Sequence, residues 1–144
     1  MIAYSKLIEI LDAKPCGAFA LIDPDIKNDR TLIETVDKIN RSGFDAILVG
    51  GSLIQDNNFD NRIKCIKDNT KMPVIIFPGS SKQLSGNADA ILYLSLLSGR
   101  NPQYLIGEHV ESAPVIQSLG LEPIPTGYIL LDGGNRTSVE IISN

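Results

Sequence analysis

The sequence is poor in the residues on which metal and nucleophile chemistry most often depend. His109 is the single histidine among 144 residues, which excludes a histidine-rich zinc site and weakens the case for a serine–histidine catalytic pair. Cys16 and Cys65 are the only two cysteines, too few for a disulfide framework. We therefore expect two reduced thiols in a cytoplasmic protein.

The sequence also lacks an excess of basic charge and a long apolar run, and we expect no leader peptide. The net charge is −4, and no basic cluster follows one face, so neither nucleic acid nor an anionic membrane is an expected partner. The N-terminus has no secretory pattern. The longest apolar stretch, residues 88–97, contains Ser95 and is too short to span a bilayer. We predict a protein without a transmembrane segment.

Short apolar runs alternate with stretches of helical spacing along the whole chain. The runs predict strands at residues 18–22, 46–49, 74–77, 90–94 and 127–131. Helical spacing is found at residues 4–13, 31–40, 61–67 and 102–119, with Pro114 marking a break or a fresh start in the last stretch. At about 30 residues or fewer per unit, this alternation predicts βαβ units and a parallel sheet.

Two parallel architectures fit this alternation, a doubly wound sheet and a (β/α)₈ TIM-type barrel. A doubly wound sheet favours a glycine-rich fingerprint after the first strand, where this chain has Asp23-Pro24-Asp25. Polar residues end every predicted strand, which favours the barrel. A barrel typically needs about 250 residues, so we expect one partial barrel domain over residues 1–144, truncated after about the fifth strand.

Two predicted strand ends carry residues able to bind a cation. Asp23 follows the first strand and Ser52 follows the second, so a carboxylate and a hydroxyl are expected at one edge of the sheet. With Asp25 nearby, they could hold Mg²⁺, which prefers one or two carboxylates plus water and phosphate oxygens. Alternatively, Asp-Pro-Asp is only a turn followed by a helix N-cap, and Gly50-Gly51 only turns the chain. Both interpretations stay open at this point.

Other polar and aromatic residues allow a functional and a structural interpretation. Residues 78–81, Pro-Gly-Ser-Ser, could bind phosphate at a helix start, although a serine N-cap is the favoured interpretation. Arg100 lies in a loop after the fourth strand, where it could meet an anionic substrate. Tyr93 and Tyr104 are either aromatic residues of the core or its edge, or residues that contact the apolar tail of a substrate. His109 is expected at the surface or in a supporting position.

Five sequence blocks, in this order and spacing, resemble the geranylgeranylglyceryl phosphate synthase family. The blocks are FALIDPD at 19–25, VGGS at 49–52, PVIIFPG at 73–79, ADAILYLSLLSGRNP at 88–102 and IPTGYIL at 124–130. The resemblance implies a (β/α)₈ barrel that joins a polyprenyl diphosphate, expected to be geranylgeranyl diphosphate, to sn-glycerol 1-phosphate. The product is an ether-linked prenylglyceryl phosphate for phospholipid biosynthesis.

The resemblance also implies site residues. In that family, Mg²⁺ is held by the aspartate of the first strand end and a serine or threonine of the second, positions that match Asp23 and Ser52 here. An apolar groove shields the prenyl carbon from water, and no catalytic residue is assigned. Further candidates for contact with substrate are Asp25, Arg100, Leu94, Leu96, Leu97 and Tyr104.

The sequence departs from the family pattern at its end. Family members continue with a Tyr-x-Glu-Ala-Gly-Ser-Gly-like strand and two glycine-rich strand ends that grip the glycerol phosphate, as barrels commonly do near strands seven and eight. We therefore expect an incomplete copy whose glycerol phosphate residues lie beyond Asn144. Alone, it is expected to be inactive and to associate through unpaired strand edges. The complete form is expected to be a homo-oligomer.

Two alternatives remain. Another phosphate-handling barrel enzyme, such as an isomerase or lyase, is weakened by the absence of lysine at inner strand positions and by the single histidine. A non-catalytic barrel remnant that acts only by assembly is the second alternative.

Overall fold

The structure, a computed structural model, describes residues 2–51, 56–131, 134, 140 and 141. A 3₁₀-helix at Ile26–Thr31 and a π-helix at Gln103–Gly107 supplement the main elements. The main elements are α1 (Ile2–Ala13), β1 (Phe19–Ile22), α2 (Leu32–Arg41), β2 (Ala46–Val49), α3 (Phe59–Asp68), β3 (Val74–Ile76), β4 (Ala90–Leu96), α4 (Glu108–Leu119) and β5 (Glu122–Tyr128). The first four strands and α1 to α3 agree closely with the sequence pattern.

The strands form one parallel sheet in the order β1-β2-β3-β4-β5. A doubly wound sheet reverses its strand order at a switch point, whereas strands added one after another curve towards a barrel. The order therefore decides between the two architectures, and the TIM-type barrel is confirmed, here over its first five strands.

The two faces of the sheet have separate apolar cores. Because side chains alternate along a strand, neighbouring strands in parallel register place every second residue on the same face. The outer face packs against α2, α3 and α4 through Val36, Ile47, Ile63, Ile76, Ile91 and Ile116. The inner face packs against α1 through Ala3, Leu7, Ala46, Ile75, Ala90 and Ile124. Helix α1 therefore covers the inner face near the amino ends of the strands.

A carboxylate at the start of β5 caps the first helix of the chain. Glu122 accepts hydrogen bonds from the backbone N–H groups of Ala3 at 2.9 Å and Tyr4 at 3.2 Å. The first N–H groups of a helix have no partners within the helix, and the helix dipole favours negative charge there. The first turn of α1 has no acidic residue of its own. The cap therefore comes from the far end of the described sheet.

The fifth strand lies earlier than the apolar pattern predicts. It spans Glu122–Tyr128, not residues 127–131, and includes Pro123 and Pro125. Leu97 N–H donates to the carbonyl of Tyr128, so even-numbered residues of β5 direct their backbone groups towards β4. The two proline nitrogens face the opposite edge, where a missing N–H costs no bond in this sheet. The prediction from the apolar run at 127–131 was wrong, because the pairing of β5 with β4 begins earlier, at residues that include the two prolines.

Two further predictions fail at helix boundaries. Residues 77–89 connect β3 to β4 through turns and bends without a helix, so neither a phosphate at a helix start nor a serine N-cap describes residues 78–81. Pro114 lies inside α4, which continues through it. One proline removes one backbone bond, and the buried side chains Ser112 and Ile116 hold the helix against the sheet.

None of the described helices has the length and apolar character needed to cross a bilayer. Cys16 and Cys65 are both free thiols, as the cysteine count predicted.

Candidate functional site

A cavity of about 280 Å³ lies at the carboxyl ends of the strands. It is bounded by the ends of β1 to β5, the connection after β3, the π-helix and α4. Apolar side chains dominate the lining: Leu21, Phe77, Leu84, Ile91, Leu92, Leu94, Leu96, Tyr104 and Tyr128. Polar groups come from Ser80, Ser81, Glu108, His109 and Ser112. A mostly apolar cavity with a few polar groups is typical of ligand sites.

Two aromatic rings meet within this lining. Phe77 follows β3 and Tyr128 ends β5, and their centroids are 5.8 Å apart with planes at 84°. This edge-to-face arrangement is favourable and joins two strands on either side of β4. Neither residue is predicted from the sequence to be functional. The pattern that could have indicated them is the one that indicated Asp23, namely a position at the end of an apolar run.

His109 anchors α4 to β4. Its ring stacks on Tyr93, with centroids 4.0 Å apart and planes at 17°. The Tyr93 hydroxyl donates to the His109 carbonyl at 2.8 Å, and His109 Nε2 lies 2.7 Å from the carbonyl oxygen of Leu94. Since a carbonyl only accepts, Nε2 carries the proton in this contact. The imidazole is thus held in one orientation beside the cavity.

A hydrogen-bonded cluster closes the rim between the β3–β4 connection and α4. Ser81 N–H donates to the carboxylate of Glu108, and its hydroxyl donates to Glu111 at 3.1 Å. The Gln103 side-chain amide donates to both carboxylates at 3.1 Å. A side chain at Gly107 would overlap that same amide. The π-helix therefore brings Gln103 over the start of α4, and such segments are frequent at functional sites.

The β3–β4 connection contains no helix, and hydrogen bonds of the Gln83 side chain hold it in place. This side chain is 3% exposed, accepts from Gly79 N–H at 3.0 Å and donates to the Gly51 carbonyl at 2.8 Å. Ser85 adds a bond of 2.5 Å to Asp60 at the start of α3. Side-chain hydrogen bonds therefore hold the connection against the end of β2 and the start of α3.

The end of β2 leaves no room for side chains. A Cβ at Gly50 would overlap the Phe77 carbonyl oxygen, and one at Gly51 would lie 2.8 Å from Asp23 Oδ1. The Asp23 carboxylate thus faces the β2 end directly beside the cavity, which Gly51 also lines. Ser52, the second predicted metal ligand, lies outside the described residues.

Asp23 and Asp25 have different surroundings. Asp25 Oδ1 accepts from Lys27 N–H at 3.0 Å and so caps the 3₁₀-helix, as the turn-and-cap interpretation predicts. That backbone bond, helped by the Lys27 ammonium, lowers the pKa of Asp25. The ammonium is 3.3 Å from Asp25 Oδ2 and 3.5 Å from Asp23 Oδ2. Asp23 Oδ1 points instead towards Gly51.

The donor set at the β1 end fits magnesium. Within the described part of the chain, no group of three or more histidine, cysteine or acidic side chains could hold a metal. Magnesium does not need such a group, since it is usually bound by one or two carboxylates and completed by water and phosphate oxygens. The Asp23 side chain is 49% exposed, so water and a phosphate have access to its oxygens.

The remaining candidates divide into two groups. Leu94, Leu96 and Tyr104 line the cavity. Leu97 and Arg100 are exposed residues outside it, Leu97 lying against Gly127 with 57% of its surface accessible. The structure therefore brings Asp23 and the apolar lining together at Gly51, and it leaves Leu97 and Arg100 apart from them.

Five sequential parallel strands, with a carboxylate and an apolar cavity at their carboxyl ends, place the chain in the (β/α)-barrel class. Within this class, the PcrB family model matches residues 9–143. The chain belongs to the PcrB family.

Curated relatives agree with this assignment. A geranylgeranylglyceryl phosphate synthase from Chitinophaga pinensis is 48% identical over 133 residues, which are 92% of this chain and 53% of that protein. Another from Flavobacterium johnsoniae is 46% identical over 138 residues, or 94% and 57%. The chain thus spans about half the length of the curated relatives it matches.

Solved structures agree as well. A (S)-3-O-geranylgeranylglyceryl phosphate synthase from Thermoplasma acidophilum, in complex with its substrate sn-glycerol-1-phosphate, superposes with a TM-score of 0.84 at 34% identity. The match covers 95% of this chain and 56% of that one. The wild-type enzyme from Thermoplasma volcanium gives a TM-score of 0.80 at 34% identity, covering 88% of this chain and 51% of that one.

Proposed function

We propose that this chain is the prenyl- and metal-binding part of a prenyltransferase. The complete protein would join a polyprenyl diphosphate, geranylgeranyl diphosphate in the first instance, to sn-glycerol 1-phosphate. The observation that carries the proposal is the continuity at Gly51, which lines the apolar cavity and also faces the Asp23 carboxylate. A prenyl diphosphate has the same two parts, an apolar tail and a charged head.

In the proposed reaction, a glycerol hydroxyl oxygen forms a bond to the first prenyl carbon. The bond from that carbon to the diphosphate breaks, the diphosphate leaves with the electron pair, and the hydroxyl proton passes to solvent. The apolar lining near Phe77 and Tyr128 would keep water from the electron-poor carbon. His109 Nε2 is bonded to the Leu94 carbonyl and therefore does not take this proton, and we assign no base.

Mg²⁺ is the proposed cofactor, with Asp23 and Ser52 as the residues that would hold it. When bound, it would neutralise the charge that develops on the diphosphate leaving group. Asp25 would support this site as the cap of the following 3₁₀-helix. Lys27, close to both carboxylates, would limit their negative charge before the cation binds.

The glycerol phosphate contacts are proposed to come from sequence beyond residues 1–144. Phe19 and Leu21 share the inner face of the sheet with Ala46 and Leu48, and they are 40% and 56% exposed. Such exposure of large apolar side chains supports the expectation that this chain works with further strands or with a second copy.

A complementation experiment tests the proposal. The chain is co-expressed with the C-terminal half of the Chitinophaga pinensis synthase, and prenyl transfer from labelled geranylgeranyl diphosphate is measured with and without magnesium. We expect magnesium-dependent ether formation from the pair and none from either half. Binding of geranylgeranyl diphosphate to the chain alone is measured by the change in tyrosine fluorescence. No binding and no transfer would contradict the proposal.

A further inference from the structure

The buried guanidinium group of Arg62 has no role in the proposed reaction. Arg62 lies on α3 with its side chain 3% exposed, and its guanidinium binds two carboxylates as a double fork. Nε and Nη2 donate to Asp29 at 2.5 and 2.9 Å, and Nη1 and Nη2 donate to Asp56 at 2.7 Å each. This planar geometry is specific to arginine, because a lysine ammonium cannot form two such forks.

The two carboxylates belong to different segments, one that follows Asp23 along the chain and one that precedes α3. Asp29 lies in the 3₁₀-helix that begins at the Asp25 cap, immediately after Asp23. Asp56 begins the described segment that leads into α3 and accepts from Asn58 N–H at 2.9 Å. Asp29 and Arg62 are 33 positions apart in sequence. Arg62 therefore joins the segment after β1 to the segment before α3.

An ion network of this kind is poorly explained by stability alone. A buried ion pair often contributes no more to folding than apolar side chains of the same volume, because desolvation offsets the attraction. What two forks do provide is a fixed relative orientation of the groups they join. The pKa values of Asp29 and Asp56 are both lowered, first by their hydrogen bonds to Arg62, so both carboxylates stay charged in the network.

We propose that Arg62 is a positioning residue that fixes the Asp23 segment against the start of α3 and thereby sets the affinity of the candidate site for a divalent cation. The proposal rests on the metal site of the proposed function. Arg62 does not touch the cation; it acts through Asp29 and the 3₁₀-helix.

The test uses four single variants of the full chain. Arg62→Lys, Asp29→Asn and Asp56→Asn alter the network, and Arg41→Lys is the matched control. Arg41 forms an exposed pair with Asp37 on α2, 3.1 Å long, away from the site. Mn²⁺ affinity is measured by electron paramagnetic resonance, folding by circular dichroism, and amide hydrogen exchange residue by residue. Arg62→Lys keeps the charge and removes the forks, and the two asparagine variants keep the side-chain shape.

We expect Mn²⁺ affinity to fall about tenfold or more in the three site variants, as for other residues that support metal ligands, and to stay unchanged in Arg41→Lys. Asp29→Asn should also speed exchange at Asn58 N–H, and Asp56→Asn should speed it at Lys27 N–H, each in the segment that was not altered. A role in folding alone would lower the unfolding free energy without this reciprocal effect.

Exchange changes confined to the altered segment, or Mn²⁺ affinity within twofold of the unaltered chain, would overturn the role of Arg62. If the unaltered chain binds no Mn²⁺, the metal site of the proposed function fails. The rate of amide hydrogen exchange in the unaltered segment then still decides whether Arg62 couples the two segments. The failure of one proposal is therefore distinguishable from the failure of the other.

Discussion

The side-chain amide of Gln83 donates a hydrogen bond to the carbonyl oxygen of Gly51 at 2.8 Å, across 32 positions of sequence. Gln83 belongs to the connection that forms a wall of the cavity, and Gly51 faces the Asp23 carboxylate. One buried amide thus joins the proposed prenyl site to the proposed metal site. Either site should respond when this bond is removed.

Replacing Gln83 with leucine should destabilise the chain by about 1–3 kcal/mol, because the half-buried Gly51 carbonyl and Gly79 N–H both lose their hydrogen-bond partner. Gln117→Leu on the exposed side of α4 is the control, with an expected change within about 0.5 kcal/mol. Urea unfolding measures both. Equal effects of the two changes would show that the buried amide is dispensable.

Gly50→Ala should be severe, since the new methyl group would overlap the backbone oxygen of Phe77. We expect a loss of about 3 kcal/mol or more in the free energy of unfolding. Gly86→Ala is the matched control, because its new methyl group would meet Leu119 at ordinary contact distances from 3.5 Å. Thermal unfolding of both variants checks this expectation. A stable Gly50→Ala protein would mean that the strand ends can separate.

Asp23→Asn should abolish magnesium-dependent turnover in the complemented enzyme while the fold is retained, because an amide is a poor substitute for a carboxylate towards Mg²⁺. Asp25→Asn is the comparison, and it should keep most of the activity, because an asparagine Oδ1 can still accept from Lys27 N–H and cap the 3₁₀-helix. Activity is followed over a magnesium titration, with circular dichroism as the check on folding. Near-normal activity of Asp23→Asn at all magnesium concentrations would remove Asp23 from the site.

Tyr104 and Leu97 should differ in their effect on prenyl length. Tyr104 lines the cavity, so Tyr104→Ala should enlarge it and shift the preferred substrate towards longer prenyl chains. Leu97 is exposed outside the cavity, and Leu97→Ala should leave the preference unchanged. Competition among prenyl diphosphates of different length in the complemented enzyme measures the shift. Identical product lengths from both variants and the parent would contradict a prenyl role for this cavity.

The Arg62 network should make stability depend on pH in the acid range. Its hydrogen bonds lower the pKa of Asp56 from 3.8 to about 2 and also lower that of Asp29. Below about pH 4 the unfolded state binds more protons than the folded one, so stability falls as pH falls towards 2. Asp56→Asn should show a shallower decline. Parallel curves of unfolding free energy against pH for the two proteins would count against this assignment.

Much of the fold can be read from local pattern. β1 to β4 coincide with four short apolar runs, and α1 to α3 follow helical spacing, because burial on one face imposes the period of each element. The order of polar strand ends favoured a barrel, and the sequential parallel sheet confirms it. Asp23 was placed at the end of β1 on the same grounds. It does lie there, although its role as a metal ligand stays a prediction.

The failures share a cause. β5 was predicted too late because Pro123 and Pro125 are compatible with a strand only when their nitrogens face away from the neighbouring strand, and that depends on register with β4. The absence of a helix in residues 77–89 depends on Gln83 and Ser85 finding partners on β2 and α3. Neither condition has a local sequence signal.

The sequence by itself determined the alternation of strands and helices, the barrel class and the strand-end carboxylate, because these follow from side-chain period and chain direction. Only the tertiary structure decided that Glu122 caps α1 over 119 positions, that Arg62 joins two segments, and that Tyr104 lines the cavity while Leu97 does not. Such contacts join residues far apart in the chain. Their partners are set by how the elements pack in space, and no local pattern of residues encodes that packing.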